Sequence, residues 1–448
     1  MLGRVLEEIK PTEEEHRAIV ANANKVMARL KGIVSSDVEL HIVGSVARGT
    51  NLKGDSDIDI FMLFPSGSNK EEILKKGLGY GKELARTERR GRYEIKYAEH
   101  PYVKVYLDSI GIRADIVPAF KIKNAGELAT AVDRTPLHTE FIEASLNPKQ
   151  KDDVRLLKYL LKAHHIYGAE TKTGGFSGYL CELLILHYGS FTKAMSGFSG
   201  LKLPVVIDPR RKSEYIDIGV NKRFGSDFVV IDPVDAGRNV SAAVSHESLA
   251  RLVLVSRAFT ENPNITLFYG IKFSSARAGT LFRSLLKDSG LESLLIVSRV
   301  PDKSPDAIWP QLNRVLGRIV GDVEHEGFRV YESVAWTEGT RGFILVLSQK
   351  DRIVSKLLRG PDVFETSSST SFIKAHRAAI GYSIKGRRIY ALEHAPRRRA
   401  EEVIKGLMGK RGIRHKDIDL RKARLFTNSI PREYAESAYF EIMKRLVI

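Results

Sequence analysis

The run Asp57-Ile58-Asp59-Ile60-Phe61-Met62-Leu63-Phe64 leaves its backbone little choice. It is rich in strand formers, and Pro65-Ser66-Gly67 stops it with a turn. Side chains of a strand alternate between its faces. Asp57 and Asp59 therefore project to one side, and Ile58 and Ile60 to the other, where a core would lie. Carboxylates two residues apart sit about 7 Å from each other along a strand and repel unless a cation lies between them. Such hard oxygen donors suit Mg²⁺, which completes its shell with water and substrate phosphates. Asp115, within the strand-like Ile112-Arg113-Ala114-Asp115-Ile116-Val117, is a third acid. If the two strands are neighbours, the three acids could hold two Mg²⁺ ions about 3.5–4 Å apart, a pair suited to in-line phosphoryl displacement.

A phosphate site precedes the acids. Gly44-Ser45 closes a short strand, Val38–Val43, and opens a helical turn. The N–H groups of such a turn, with the Ser45 hydroxyl, suit nucleotide phosphates, and Arg48 one turn on adds a charge-assisted bond. Gly49 lets the chain turn back toward the acids. A lone Asp-x-Asp is more often a solvated strand end than a metal site. The ordered conjunction, with 12 residues from Ser45 to Asp57, points to chemistry.

Around this centre the pattern is α+β. Thr12 and Glu15 form a Thr-x-x-Glu capping signal for a helix to about Leu30, and a second helix is expected near Asn69–Ala85. Strands are expected at Tyr93–Tyr97, Val103–Leu107 and Ile112–Val117, giving a mixed sheet backed by helices on one side. Leu137–Ala163, Tyr179–His187 and Ser248–Phe259 read as helical, with short strands at Val205–Ile207 and Phe228–Ile231. Asn262-Pro263-Asn264 suggests a linker. Beyond it, Leu294–Val297, Arg329–Val334 and Gly342–Leu347 read as strands and Pro305–Val323 as a helix. Thr366–Ser371 reads as a polar stretch, Tyr382–Leu392 as a hairpin, and the C-terminus as basic helices.

A chain of 448 residues exceeds what one hydrophobic core supports. The formal charge of +17 favours a polyanionic partner. Residues 361–448 hold 19 Lys and Arg against 10 Asp and Glu, so this last fifth carries +9 of it. That asymmetry predicts one face or arm that meets the anion. One cysteine, Cys181, excludes an intramolecular disulfide framework and a Cys-rich zinc site, and fits a reducing compartment. No stretch approaches the ~20 apolar residues of a membrane span, so a cytoplasmic protein is expected.

Gly44-Ser45…Arg48-Gly49…Asp57-Ile58-Asp59 with the later Asp115 resembles the signature of the polymerase-β-type nucleotidyltransferases. Longer blocks are more specific. Tyr97-Ala98-Glu99-His100-Pro101-Tyr102, Ala131–His138, Arg155–Lys158, Ile166–Glu170, Gly175–Leu184, Asp232–Asp235 and Arg238-Asn239-Val240 resemble the archaeal (class I) CCA-adding enzymes. The resemblance spans about residues 43 to 262 and is weaker beyond. It implies a nucleotidyltransferase head (1–140), a mostly helical neck (141–262), and an α+β body with a basic tail (263–448). It implies template-independent addition of CCA to the 3′ end of tRNA from CTP and ATP. By the same resemblance Asp57, Asp59 and Asp115 carry the metals, and Ser45 and Arg48 hold the triphosphate. His138, Lys158 and Tyr167 then contact the nucleotide, with Arg238 near the base or primer end. The basic residues Arg397-Arg398-Arg399, Lys410-Arg411, Arg414 and Arg421-Lys422…Arg424 would meet the acceptor arm, positioning RNA through its phosphates. Pairing of two chains into a homodimer stays open. So do another RNA nucleotidyltransferase, such as a poly(A) or oligo(U) polymerase, and an inactive RNA-binding protein on the same fold.

Overall fold

The computed structural model describes every residue except 56, 90, 97–99, 109–110, 271–274, 351–354, 395–398, 410–412 and 447–448. Its contacts divide the chain into two units, with the boundary between residues 272 and 273. Among the described residues no helix is long and apolar enough to cross a membrane.

The first unit opens with α1 (Leu2–Ile9) and α2 (Glu13–Lys31). The Glu15 N–H donates to the Thr12 hydroxyl and the Thr12 N–H donates to the Glu15 carboxylate, the reciprocal cap that the spacing predicts. Five strands follow: β1 (Glu39–Val43), β2 (Asp57–Phe64), β3 (Arg92–Lys96), β4 (Tyr102–Leu107) and β5 (Ile112–Phe120). They form one sheet in the order β1-β2-β5-β4-β3, with β2 and β5 parallel and the other neighbours antiparallel. Two helices lie among them, α3 (Gly44–Arg48) and α4 (Lys70–Arg86). Ile58, Ile60, Val103, Val105, Ala114 and Ile116 are buried on one face with Val26 and Leu30 of α2 and Ile73 and Leu84 of α4. Burying each large aliphatic side chain contributes ~1.5–3 kcal/mol, which fixes which way β2 faces. The expected mixed sheet backed by helices on one side is therefore present. The opposite face carries the three acids and, farther along the strands, Phe61, Leu63, Val117 and Ala119.

The helical run expected over Leu137–Ala163 is two helices, α5 (Thr135–Ser145) and α6 (Pro148–Ala163). Asn147 precedes a proline, which disfavours helical backbone, and it instead caps α6 through Gln150. Next come α7 (Gly178–Tyr188), α8 (Phe191–Ser199), β6 (Val205–Asp208), β7 (Ser213–Tyr215), α9 (Ile218–Phe224), β8 (Phe228–Val230) and α10 (His246–Glu261). Helix α7 is buried from Tyr179 to Leu186, as its all-round apolar sequence requires, and carries the buried Cys181. After Asn262-Pro263-Asn264 the turn Ile265–Phe268 packs Phe268 against Phe191 and Phe259, so the chain remains in the first unit beyond that stretch.

The second unit comprises α11 (Ser275–Ser289), β9 (Leu291–Arg299), α12 (Pro305–His325), β10 (Val330–Glu338), β11 (Arg341–Gln349), β12 (Ser355–Asp362), α13 (Thr366–Ala375), β13 (Gly381–Lys385), β14 (Arg388–His394), α14 (Ala400–Met408), β15 (Arg414–His415), β16 (Ile418–Asp419), β17 (Arg424–Thr427) and α15 (Arg432–Leu446). The sheet β10-β11-β9-β17 has helices on both faces. Leu294 and Ile296 meet Ile308, Leu312 and Ile404 on one side, and Leu295 and Val297 meet Phe282, Tyr439 and Ile442 on the other. A smaller sheet, β12-β14-β13, lies beside α13.

Two expectations are corrected in this unit. The polar stretch Thr366–Ser371 begins a helix that runs on through the apolar Phe372-Ile373 to Ala375, with the Ser369 hydroxyl turned back to the carbonyls of Val363 and Thr366. The basic C-terminus is not purely helical. Arg414 lies on β15, Arg421 and Lys422 in a 3₁₀ turn, and Arg424 on β17. Arg397-Arg398 and Lys410-Arg411 lie outside the described residues, as do Ser56 and Tyr97-Ala98-Glu99.

Candidate active site

The parallel pairing of β2 and β5 sets Asp59 directly beside Asp115, with Asp57 beside Arg113. Val43, the last residue of β1, lies opposite Asp59 on the other side. Gly44 follows it at φ +78°, and a Cβ there would stand 2.1 Å from Asp59 Oδ2. Glycine at 44 is thus what lets the carboxylate sit against the turn. Helix α3 then ends at Gly49, whose left-handed φ of +66° sends the chain back toward the acids.

The acids are short of compensating charge. Burial, the neighbouring Asp115 and then Asp57 push the Asp59 carboxyl up to about 7 against the opposing charge of Arg48. Burial also raises Asp115, with Lys104 opposing. Lys104, on β4, places Nζ 2.8 Å from Asp57 Oδ2 and 3.4 Å from Asp115 Oδ1. Burial opposes its charge but the two carboxylates prevail, holding the ammonium up at about 12. Asp115 Oδ1 is buried without a hydrogen-bond partner of normal geometry among the described residues. Asp57 reaches toward Lys104, and among the described residues no three such side chains close into a metal-binding group. The donor set nonetheless fits a hard divalent cation: three carboxylates on one face, one buried oxygen without a hydrogen bond, and a glycine cradle around Asp59.

Behind the acids lies a second cluster. Glu182 of α7, fully buried, stands 3.1 Å from Arg48 Nε and 3.5 Å from Lys158 Nζ, and accepts a 2.5 Å bond from the Thr50 hydroxyl. The Lys158 ammonium also donates to the Thr50 carbonyl and hydroxyl oxygens. Burial lowers the Lys158 pKa against the pull of Glu182. Tyr167 lies alongside, since a Cβ on Gly178 would meet both its hydroxyl and Lys158. Burial raises the Tyr167 phenol, and the Lys162 ammonium stands 5.3 Å from its ring centre.

A third cluster surrounds Asp232. His138 Nε2 lies 2.9 Å from one Asp232 oxygen, which Arg238 Nη1 also reaches at 2.9 Å, while the Tyr179 hydroxyl donates to the other oxygen at 3.1 Å. The His138 and Tyr179 rings stack with centres 3.9 Å apart. Burial pushes Asp232 up, but the bonds from His138 and Arg238 outweigh it and bring it to about 2. Burial lowers His138. Arg48 links the three clusters, because its charge acts on Asp59, Lys158, Tyr167 and His138.

Family models match three consecutive stretches of the chain. The nucleotidyltransferase domain covers residues 23–138, the second domain of tRNA nucleotidyltransferase covers 152–269, and the C-terminal domain of the CCA-adding enzyme covers 290–413. The CCA-adding enzyme of Sulfurisphaera tokodaii is 37% identical over 401 residues, covering 88% of this chain and 90% of that one. That of Thermococcus gammatolerans is 34% identical over 461 residues, covering 98% and 96%. The chain belongs to the archaeal-type CCA-adding enzymes. Within this CCA-adding enzyme, Ser45, Arg48, Asp57, Asp59, Asp115 and His138 fall in the first matched domain, and Lys158, Tyr167 and Arg238 in the second.

Apart from Ser45, in helix α3 after the Gly44 cradle, the residues named from sequence thus occupy three clusters rather than one pocket wall. Arg48 and Lys158 are buried and paired, His138 is buried against Asp232, and Arg238 retains partial exposure while pairing with Asp232. Sequence reasoning gave no role to Lys104, Thr50, Tyr179 or Glu182. Glu182 had a readable signal, as the one charge in Tyr179–His187, an otherwise apolar helix face all round.

Proposed function

We propose that this chain adds CCA to the 3′ end of tRNA from CTP and ATP at the acid face of the first sheet, without a nucleic-acid template. The observation carrying the reading is the in-register pair Asp59 and Asp115, held against repulsion beside the Gly44 cradle. Asp57, Asp59 and Asp115 would hold the divalent cations, in this reading two Mg²⁺ ions. When bound, such a pair supplies positive charge to the attacking and leaving oxygens. Ser45 and Arg48 orient the triphosphate, with Lys158 setting the charge balance around Arg48 through Glu182. Tyr167 and His138 face the nucleotide, and Arg238 the base or primer end. The tRNA 3′-hydroxyl attacks the α-phosphate, its proton passes to Asp115, and pyrophosphate leaves.

In this reading residues 1–140 are the catalytic head, 141–262 the neck, and the remaining body and tail grip the acceptor arm. A tRNA substrate and a single buried cysteine fit cytoplasmic residence. The test is incorporation of labelled CTP and ATP into tRNA lacking CCA, in Mg²⁺. The expected product stops after C, C and A. Unlimited tailing would make the chain a poly(A) or oligo(U) polymerase, and tight tRNA binding without pyrophosphate release would make it an inactive RNA-binding protein. Light scattering of the protein with and without tRNA distinguishes monomer from homodimer.

A further inference from the structure

Three carboxylates on one sheet face need counter-charge whenever no metal is present. Within the sheet, one side chain supplies it in direct contact with two of them. The strand Tyr102-Val103-Lys104-Val105-Tyr106-Leu107 buries Val103, Val105 and Leu107 on the helix side, so Lys104 points to the acid side. There it pairs in register with Asp115 of β5, and its ammonium spans Asp57 and Asp115 at 2.8 and 3.4 Å. On the other side of β4, Lys104 is in register with Glu94 of β3. Directly opposed cross-strand residues have Cβ atoms about 4.5–5.5 Å apart, within reach of a lysine stem. Lys104 thus stands between two carboxylate neighbours, one in the acid cluster and one outside it. Glu94 is held at present by Lys96 and the Tyr106 hydroxyl, on an exposed face.

We infer that the Lys104 ammonium is the resident counter-ion of the acid face, occupying the place between Asp57 and Asp115 that a divalent cation must enter, and that it turns to Glu94 when the cation loads. Lys104 is on this account a positioning residue. It holds Asp57 and Asp115 aligned while the site is metal-free, and it makes weakly bound metal easy to lose. The inference rests on the reading of the three acids as cation ligands.

Mn²⁺ binding to the full chain, followed by electron paramagnetic resonance without nucleotide or tRNA, tests it. Lys104→Gln removes the competing charge and should bind Mn²⁺ about tenfold more tightly. Its metal-free form should melt at lower temperature than wild type and recover when Mn²⁺ is added. Lys104→Arg, which keeps the charge, should stay close to wild type. Glu94→Gln, which removes the landing place, should bind Mn²⁺ a few-fold more weakly. Unchanged or weaker Mn²⁺ affinity in Lys104→Gln overturns the inference, and if the KM for CTP alone rises, Lys104 is a nucleotide contact. Asp59→Asn separates the two levels. If Asp59→Asn loses Mn²⁺ while Lys104→Gln is indifferent, the counter-ion role alone fails. If Asp59→Asn binds Mn²⁺ as wild type does, the acids are not its ligands and the inference falls with them.

Discussion

Two charged clusters of the first unit are linked through Arg48, and they solve opposite problems. On the acid face, Asp57 and Asp115 share the Lys104 ammonium, and Asp59 is pushed up to about 7 by burial and its acidic neighbours. In the buried cluster, Glu182 is met by Arg48, Lys158 and Thr50, each within 3.5 Å. A buried charge met by opposite charges is what a folded interior tolerates, even where, as between Arg48 Nε and Glu182 Oε2, the ion pair lacks hydrogen-bond geometry. Like charges gathered with too few partners lower stability, and they persist where the cost serves a ligand. The difference marks the acid face as the place of chemistry and the Glu182 cluster as the frame behind it. Arg48 belongs to both.

The sharpest way to break this comparison is to neutralise each side. Asp59→Ala should abolish incorporation of both CMP and AMP, by about a thousandfold or more, while leaving tRNA affinity nearly intact. Surviving C addition would show that the acid face is not a shared centre for both nucleotides. Glu182→Ala should act the other way, on the fold. It leaves Arg48 and Lys158 buried without their counter-charge, a loss of about 3–5 kcal/mol for a broken buried pair. Urea unfolding measures it. A loss below about 1 kcal/mol would mean that water reaches the cluster and that the frame is not dry.

The acid face was legible because a strand's period of two is rigid. Asp57 and Asp59 had to share a face, and Ile58 and Ile60 had to fill the core beneath. The Thr12–Glu15 cap was legible for the same kind of reason, a fixed spacing with one geometric outcome. Partnership across the fold was not. Lys104 alternates correctly within its strand, and the short glycine-containing connection to β5 suits a hairpin, but the register that sets Lys104 beside Asp115 was not legible. Glu182 meets Thr50 and Arg48 from over 130 positions away, a contact made by packing rather than periodicity. Strand β12 (Ser355–Asp362) escaped because Gly360-Pro361 inside it reads as a breaker, while at the sheet's edge a proline is tolerated. Family blocks named the site residues but could not say which would be buried and paired.

A subtler contrast lies in pH. Asp59 carries a folded pKa of about 7 against an ordinary 3.8, so the folded chain binds a proton that the unfolded chain releases. Its contribution is fully present below about pH 4 and is lost as pH rises through 7. Asp232, brought down to about 2, has the opposite sign, with stability present above pH 3.8 and lost as pH falls through 2. Thermal melts in EDTA from pH 5 to 8 should therefore show Asp59→Asn gaining on wild type as pH rises, ending more stable though inactive. Parallel curves would mean that Asp59 is ionised throughout and that the face is better compensated than its geometry indicates.

The smallest expected effect concerns the second unit, at the exposed charge of Arg399. Arg399 precedes α14 at its N-cap, where the helix dipole disfavours a cation and aspartate is among the preferred caps. Its placement is therefore not explained by helix stability. Arg399→Asp should leave the fold unchanged or firmer by about 0.5–1 kcal/mol, while reversing a charge that we place on the tRNA backbone. Binding titrations from low to moderate salt should show affinity lowered a few-fold and the slope of log K against log salt reduced by roughly one. Because the substitution favours the helix, weaker binding could not be assigned to unfolding, and an unchanged slope would remove Arg399 from the RNA interface.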